Sequence, residues 1–260
     1  MKESIRVLLN QAAARYEHVS FIDTDPISIP HRYTAKQDIE IAGFFSAILA
    51  WGNRASIIRS ADSLLTRMDH DPYRFVKDAS KSDLKRLEGF VHRTFNTTDL
   101  LYLVDFLNQH YRQFTSLEEA FFPISSTGED AVELGLTHFH HRVFNSEFVS
   151  ERTRKHIATP ERGSACKRLN MFLRWMVRPA DGGVDFGIWK RIKPAQLICP
   201  LDVHVHRVAL DLGIITRQQA DWRTALQLTK ALSELDKDDP VRFDYALFML
   251  GVEKKSTKKP

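Results

Sequence analysis

The sequence lacks several features by which enzymes and membrane proteins are commonly recognised. It has only two cysteines, Cys166 and Cys199, which are too far apart for a C-x-x-C motif. A four-cysteine zinc site and a four-cysteine iron–sulfur cluster are therefore impossible. No run of about 18 apolar residues is present, which excludes a membrane-spanning helix, and the first residues do not resemble a secretory signal. We expect a cytoplasmic protein with reduced thiols and no cofactor.

Sustained alternation of apolar and polar residues, which marks a half-buried strand, is also absent. Helical periodicity recurs instead from end to end, so the sequence predicts an all-α fold. Its length fits one large domain or two lobes over residues 1–252, followed by a disordered basic tail at 253–260. The predicted helices span 3–16, 36–51, 55–68, 71–78, 82–89, 98–114, 129–144, 164–178, 203–213, 217–235 and 238–251. The second of these is apolar almost all round, which indicates a buried central helix.

Positive charge is concentrated in one part of the chain, although the net charge of the whole is only +4. Residues 151–193 contain 11 Lys/Arg against 4 Asp/Glu, whereas residues 1–150 contain 16 against 20. Clustered Lys and Arg gain affinity for a polyanion by releasing its counterions, so this segment favours a nucleic-acid partner. A solvated basic face that balances acidic regions elsewhere is the alternative.

The segment that begins at Ser164 has the periodicity of an amphipathic helix. Its apolar stripe is formed by Leu169, Phe172, Leu173, Met176 and Val177. Lys167, Arg174 and Arg178 recur on the opposite side, so we expect one face to present a lysine in line with two arginines. Cationic neighbours favour the neutral amine that Schiff-base chemistry requires. Phosphate contacts or plain solvation are the alternatives for these three side chains.

A further helix start is predicted at Asp202, in the segment C-P-L-D-V-H-V-H-R-V, residues 199–208. Asp is a preferred N-cap, and the amide dipoles at a helix start favour an ionised carboxylate. Such a carboxylate can stabilise a glycosyl cation or assist deprotonation of a nucleophile. A purely structural cap is the alternative, and the presence of Lys167 at another helix start is what favours catalysis.

Several histidines suggest metal binding but lack the spacing for it. His204 and His206 are two residues apart, which on a helix directs them to opposite sides. His138 with His140 or His141 is better spaced, but no nearby carboxylate completes a site. We therefore predict no metal, and a histidine-dependent metal phosphohydrolase is the weakest of the alternative functions.

The segment around Asp202 resembles the V-D-x-H-V-x-R-V signature of the helix-hairpin-helix–GPD superfamily of DNA glycosylases. The closing segment 243–251 is similar to the last helix of the adenine-glycosylase branch. The segment L-A-W-G-N-R, residues 49–54, is similar to the helix and loop that wedge into DNA where a base is flipped out. As a whole, the chain resembles an uncharacterised bacterial family distantly related to these enzymes. This implies a two-lobed, glycosylase-like helical fold with the catalytic pair in a cleft between the lobes.

Residue by residue, the resemblance implies that Asp202 is catalytic and that Lys167 is the nucleophile that attacks C1′ of the nucleotide. The turn P-E-R-G-S-A-C-K, residues 160–167, takes the place of the hairpin L-P-G-x-G-x-K-T-A, with one glycine instead of two and a displaced lysine. The 35-residue spacing from Lys167 to Asp202 is close to that of archaeal 8-oxoguanine glycosylases, which also have a degenerate hairpin. The implied DNA-binding residues are Asn53, Arg54, Gly163, Ser164, Arg168, Arg174, Arg178, His204 and Arg207.

The function implied by the resemblance is base-excision repair. The protein would be a monomer that acts on double-stranded DNA containing a damaged base, such as 8-oxoguanine, flipped out of the helix. It would excise the base as a DNA N-glycosylase and cleave the strand as an abasic-site lyase. The runner-up is a non-catalytic helical protein that binds nucleic acid with the same scaffold.

Overall fold

Helices account for most of the protein. The computed structural model describes residues 1–125, 128–146 and 149–256, with side chains as far as Val252. Over these residues the all-α prediction is confirmed, and no helix among them is long and apolar enough to cross a membrane. The helices are α1 (Glu3–Tyr16), α2 (Lys36–Ile48), α3 (Arg54–Arg67), α4 (Pro72–Asp78), α5 (Lys81–Lys85), α6 (Thr97–Tyr111), α7 (Glu118–Phe121), α8 (Ala131–Val143), α9 (Lys167–Val177), α10 (Val203–Asp211), α11 (Trp222–Ser233) and α12 (Asp244–Ser256).

Two short elements escaped prediction. Helix α7 has only four residues, and a hairpin pairs β1 (Val91–His92) with β2 (Phe95–Asn96) in antiparallel register. Arg93 makes the tight turn of this hairpin with a left-handed backbone, at φ 56°. Strands of two residues and a single helical turn are too short to establish a period, so periodicity could not indicate them.

The chain forms two compact units. The first unit comprises Met1–Phe21, Ser126–Leu134 and Thr159–Pro260, and it contains α1 and α9 to α12. The second unit comprises Ile22–Ser125 and Gly135–Ala158, and it contains α2 to α7 and the hairpin. The chain passes from one unit to the other at four places, one of which, between Leu134 and Gly135, falls within α8.

The second unit is built on α2, as the sequence indicated for a central helix. All ten residues from Ile39 to Ile48 are buried. One of them is Glu40, whose carboxylate accepts hydrogen bonds from the Tyr111 hydroxyl at 2.9 Å, the Leu117 amide at 3.0 Å and the Ser116 hydroxyl. Burying a carboxylate is costly unless donors satisfy it, and these three donors do so. They tie α2 to α6 and to the chain that leads into α7.

In the first unit, α11 begins later than predicted. The Asp221 carboxylate accepts a hydrogen bond from the Thr224 amide at 2.9 Å and so caps the helix at Trp222 rather than at residue 217. A side-chain cap sets the residue at which a helix begins, whereas apolar periodicity does not locate that residue.

The last helix runs further than predicted. Gly251 was expected to end it, but α12 continues to Ser256. A Cβ on Gly251 would lie 3.2 Å from the His204 carbonyl oxygen, so this glycine allows close approach of two backbones and does not act as a helix stop. The predicted tail, 253–260, is therefore helical over its first four residues, and residues 257–260 lie outside the described part of the chain.

A glycine inside α8 provides a test of packing in the second unit. A Cβ built on Gly135 would lie 2.2 Å from Cε1 of the buried Phe122 ring. Exchange of glycine for alanine within a helix normally stabilises by about 1 kcal/mol, but overpacking a core costs about 1–3 kcal/mol. We therefore expect Gly135→Ala to lower the free energy of unfolding by about 1–2 kcal/mol, measured by urea denaturation. Gly182→Ala is the control, because nothing lies within 4 Å of its added Cβ; an unchanged or stabilised Gly135→Ala would contradict this packing.

Candidate active site

Asp202 caps α10, as predicted. Its Oδ1 accepts hydrogen bonds from the backbone amides of His204 at 2.8 Å and Val205 at 2.9 Å. Its Oδ2 makes no protein hydrogen bond within the described residues, and the side chain is partly exposed. One oxygen therefore holds the helix start while the other stays available to a ligand.

Lys167 is the first residue of α9. Cys166 precedes it at the N-cap position and has a left-handed backbone, at φ 49°. The Cys166 amide donates a hydrogen bond to the Ser164 hydroxyl at 3.1 Å. The Lys167 amine lies 3.5 Å from the sulfur of Met171. No carboxylate of the described residues lies within ion-pair distance of this amine. The amine is therefore not neutralised by a direct partner.

A third charged group, Asp244, is associated with these two. It is the first residue of α12 and is buried, and its Oδ2 accepts a hydrogen bond from the Arg174 guanidinium at 2.8 Å. Burial raises the pKa of the Asp244 carboxyl, Arg174 and then Lys167 lower it, and the charge of Asp202 raises it. Lys167 and Asp202 thus both act on one buried carboxyl. Lys167, Asp202 and Asp244, at the starts of α9, α10 and α12, all lie in the first unit.

Sequence reasoning missed Asp244. The available clue was an aspartate inside an apolar helical segment, F-D-Y-A-L-F, because a buried carboxylate in such a place needs a cationic partner. The partner is Arg174, 70 residues earlier in the chain, and nothing local to Asp244 identifies it.

Arg174 and Arg178 do not present a basic face, and their assignment as DNA-binding residues was wrong. Arg174 is 1% exposed and pairs with Asp244 and with Asp185, the latter at 3.3 Å. Arg178 is 7% exposed and pairs with Asp185 at 2.6 Å. Both guanidiniums are neutralised inside the first unit, so neither can reach a phosphate.

Two further carboxylates complete this buried ion cluster. Asp239 accepts two hydrogen bonds from Arg178, from Nε at 3.0 Å and from Nη2 at 2.7 Å, and Glu17 forms a close ion pair with the same guanidinium. The cluster therefore joins α9 to the C-terminal end of α1 and to the segment before α12. The predicted stripe of cations beside Lys167 is an interior network.

The turn expected to act as a DNA-binding hairpin lacks one of its two helices. Before Gly163 the chain forms two 3-10 helices, Glu151–His156 and Pro160–Arg162, and residues 149–166 contain no α-helix. The backbone of Gly163 is in the left-handed conformation, at φ 73°, and its carbonyl accepts a hydrogen bond from the Trp222 amide at 3.0 Å. Ser164 forms an isolated bridge with Asp221. The turn is thus held against the start of α11, which differs from the predicted helix-hairpin-helix.

The remaining implied DNA-binding residues fall into two groups. In the second unit, the Asn53 side chain caps α3 by accepting a hydrogen bond from the Ser56 amide at 3.3 Å. Arg54 forms an ion pair with Asp25 at 3.3 Å. In the first unit, Arg207 donates to the Gly251 carbonyl at 3.0 Å, His204 packs edge-on against Phe248, and Arg168 is partly buried. Asn53 and Arg207 remain exposed, so both can contact a ligand.

The histidines form no metal site in the part of the chain that the structure describes, where no group of three potential His, Cys, Asp or Glu ligands is close enough to hold an ion. His140 is buried and its Nδ1 bonds the Ile157 carbonyl at 2.9 Å. His206 bonds the Arg217 carbonyl at 3.0 Å. Both imidazoles thus make hydrogen bonds to backbone carbonyls.

This all-α fold, with a lysine and two aspartates at three helix starts of the first unit, can be compared with known proteins. Residues 25–253 match the family described as "Protein of unknown function (DUF2400)", and the chain belongs to that family. Comparison with curated proteins and with solved structures gives no match.

The raised pKa of Asp244 has a consequence for stability. Its folded pKa lies above its usual value of 3.8, so the folded chain holds this proton more tightly than the unfolded chain does. The stability from that proton is complete below the usual pKa and is lost as pH rises through the folded pKa. We therefore expect the unfolding free energy of the wild type, minus that of Asp244→Asn, to be largest near pH 4 and to fall as the pH rises towards about 7.

Urea denaturation across that pH range measures this difference. Asp238→Asn, an exposed residue of the same unit, is the control and should give a difference that does not change with pH. A pH-independent difference for Asp244→Asn as well would contradict the raised pKa.

Proposed function

We propose that this protein is a DNA N-glycosylase with abasic-site lyase activity, in which Lys167 is the nucleophile and Asp202 the assisting carboxylate. The observation that carries the proposal is that Lys167 and Asp202 both stand at helix starts of the first unit, where the charge of each acts on the pKa of the buried Asp244 carboxyl. They are 35 positions apart in sequence, yet both charges act on the same buried carboxyl. The resemblance of segment 199–208 to the glycosylase signature supports the same assignment.

The geometry suits each of the two roles. Among the described residues no carboxylate forms an ion pair with the Lys167 amine, and the contact of the amine with the Met171 sulfur is weak. The Asp202 carboxylate is fixed by two amides through one oxygen, which leaves Oδ2 to face positive charge. A carboxylate fixed in this way stabilises charge that develops during a reaction without having to reorganise.

The reaction would proceed in two stages on a flipped-out nucleotide. The neutral Lys167 amine attacks C1′, the N-glycosidic bond breaks, and the base leaves with the bonding electrons and takes up a proton. Asp202 stabilises the positive charge that develops on the sugar. The nitrogen lone pair then forms the C=N bond as the C1′–O4′ bond breaks and O4′ takes up a proton, so the opened sugar is held as a protonated lysine Schiff base. This Schiff base loses a C2′ proton, and β-elimination expels the 3′ phosphate. Asp244, paired with Arg174, would be a positioning residue for Lys167.

Contact with DNA would rest on the exposed cations of the basic segment and not on Arg174 or Arg178. Arg162, adjacent to the Gly163 turn, and Lys190 and Lys193 are exposed in the first unit. Each phosphate contact that they make adds to the salt dependence of binding.

Borohydride trapping tests the nucleophile directly. We expect the wild type to form a covalent adduct with duplex DNA that contains an abasic site or 8-oxoguanine, because borohydride reduces the Schiff base of Lys167. Lys167→Gln should form none, whereas Lys230→Gln, which alters an exposed lysine of the same unit on α11, should form as much as the wild type. The measurement is the fraction of labelled DNA shifted on a denaturing gel.

Asp202→Asn separates catalysis from capping. Asn is as good an N-cap as Asp, so the unfolding free energy should change by less than about 1 kcal/mol. Loss of the carboxylate charge should nevertheless slow adduct formation by roughly 100-fold. Absence of any adduct from the wild type, with salt-dependent DNA binding retained, would instead establish the non-catalytic binding protein.

A further inference from the structure

A groove of about 660 Å³ lies along α6 and α8 in the second unit. Its α6 wall presents Phe106, Gln109 and Gln113, which are spaced i, i+3 and i+7. Its α8 wall presents His138, His141 and Arg142, spaced i, i+3 and i+4. These spacings place each set on one face of its helix, so two polar faces meet where paired helices usually bury apolar side chains.

The groove is basic and its lining contains no carboxylate. The Arg142 guanidinium stands over the Phe114 ring at 4.6 Å, and it forms no ion pair with a carboxylate of the described residues. Burial lowers the pKa of His138, and the charges of Arg142 and His141 lower it further. These groups therefore repel one another, and a bound anion would relieve the repulsion.

No acid forms an ion pair with Arg142 in the part of the chain that the structure describes. The charge of Glu119 acts on the Arg142 guanidinium without an ion pair between the two side chains. Asp105 accepts a hydrogen bond from the Gln109 amide at 2.7 Å, and Glu151 is bonded to Arg154 at 2.9 Å. The positive charge of Arg142 is thus left for a ligand.

The opposite wall offers an aromatic surface. Phe106 is partly exposed, and its ring is stacked on that of His110 at 6.2 Å. His110 donates through Nε2 to the Ser116 carbonyl at 2.8 Å, so its Nδ1 is an acceptor, and this atom has no partner among the described residues. Side-chain amides beside these rings can both donate and accept, as the edge of a nucleobase requires.

We propose that this groove binds a nucleoside monophosphate. The phosphate would contact Arg142, His138 and His141, and the base would lie against Phe106 with its edge towards Gln113. The volume falls within the range of about 300–1,000 Å³ that is usual for small-molecule sites. This site is independent of Lys167 and Asp202, which belong to the first unit.

Isothermal titration calorimetry of the full chain with the four nucleoside 5′-monophosphates tests the proposal, with ribose 5-phosphate and inorganic phosphate as probes of the cationic wall alone. At least one nucleotide should bind saturably, and roughly 10-fold more tightly than ribose 5-phosphate, because stacking adds to the charge-assisted hydrogen bonds. Arg142→Gln should weaken nucleotide binding by roughly 10-fold or more. Lys167→Gln should leave it unchanged, which keeps this test separate from that of the proposed function.

Arg112→Gln is the matched control. Arg112 is exposed just beyond α6 and does not line the groove, so its removal should not change nucleotide affinity. His138→Gln, at an exposed position, is a second groove variant that preserves the fold and should weaken binding by roughly 3-fold. Histidine NMR titration of the wild type should show a higher pKa for His138 when the nucleotide is bound.

Three results would overturn the proposal. The first is no saturable binding of any nucleotide at millimolar concentration. The second is equal affinity for nucleotides and inorganic phosphate, which would show an anion site without base recognition. The third is an equal effect of Arg142→Gln and Arg112→Gln, which would show that charge in general, and not the groove, is responsible.

Discussion

The first unit depends on a buried cluster of two arginines and four carboxylates. Arg174 and Arg178, one turn apart on α9, are held by Glu17, Asp185, Asp239 and Asp244. Removal of one partner from a buried ion pair costs about 3–5 kcal/mol, because an uncompensated charge stays behind. The cluster therefore fixes the positions of the end of α1, of α9 and of the start of α12 relative to one another. Apolar contacts are non-directional and define these positions less sharply.

The candidate site is one edge of that cluster. The Asp244 carboxylate accepts a hydrogen bond from Arg174, and the charges of Lys167 and Asp202 also act on its pKa. Any movement of α12 would change the charge that Lys167 experiences, so the ion cluster sets the electrostatics of the site as well as the fold. Cys199 belongs to the same interior: burial raises the pKa of its thiol, and the charge of Asp244 adds to this effect. A buried thiol whose pKa is raised in this way is a poor nucleophile.

What the sequence could predict follows from the distance over which each feature is determined. The cap at Asp202 was predicted correctly, because its partners are the amides of the next turn. The central helix α2 was predicted because its apolar residues are contiguous. Arg174 and Arg178 were misassigned because their carboxylates lie as far away in sequence as Asp244, 70 positions from Arg174, and Glu17, 161 positions (178 − 17) from Arg178. Periodicity shows only that the two arginines lie opposite the apolar stripe. Asp244 was missed for the same reason.

The comparison of these cations shows how a basic segment should be judged. An excess of Lys and Arg in sequence indicates affinity for a polyanion only if the charges are not already compensated within the fold. Arg174 and Arg178 are compensated by contact and buried, so they stabilise the first unit and bind nothing outside it. Lys167 and Arg142 each lack a carboxylate within ion-pair distance in the described residues. A cation without an ion-pair partner at a partly buried position costs stability. The fold carries one such cation in each unit, Lys167 beside the Met171 sulfur and Arg142 over the Phe114 ring. Absence of compensation, rather than the number of charges, therefore distinguishes the two candidate sites from the interior.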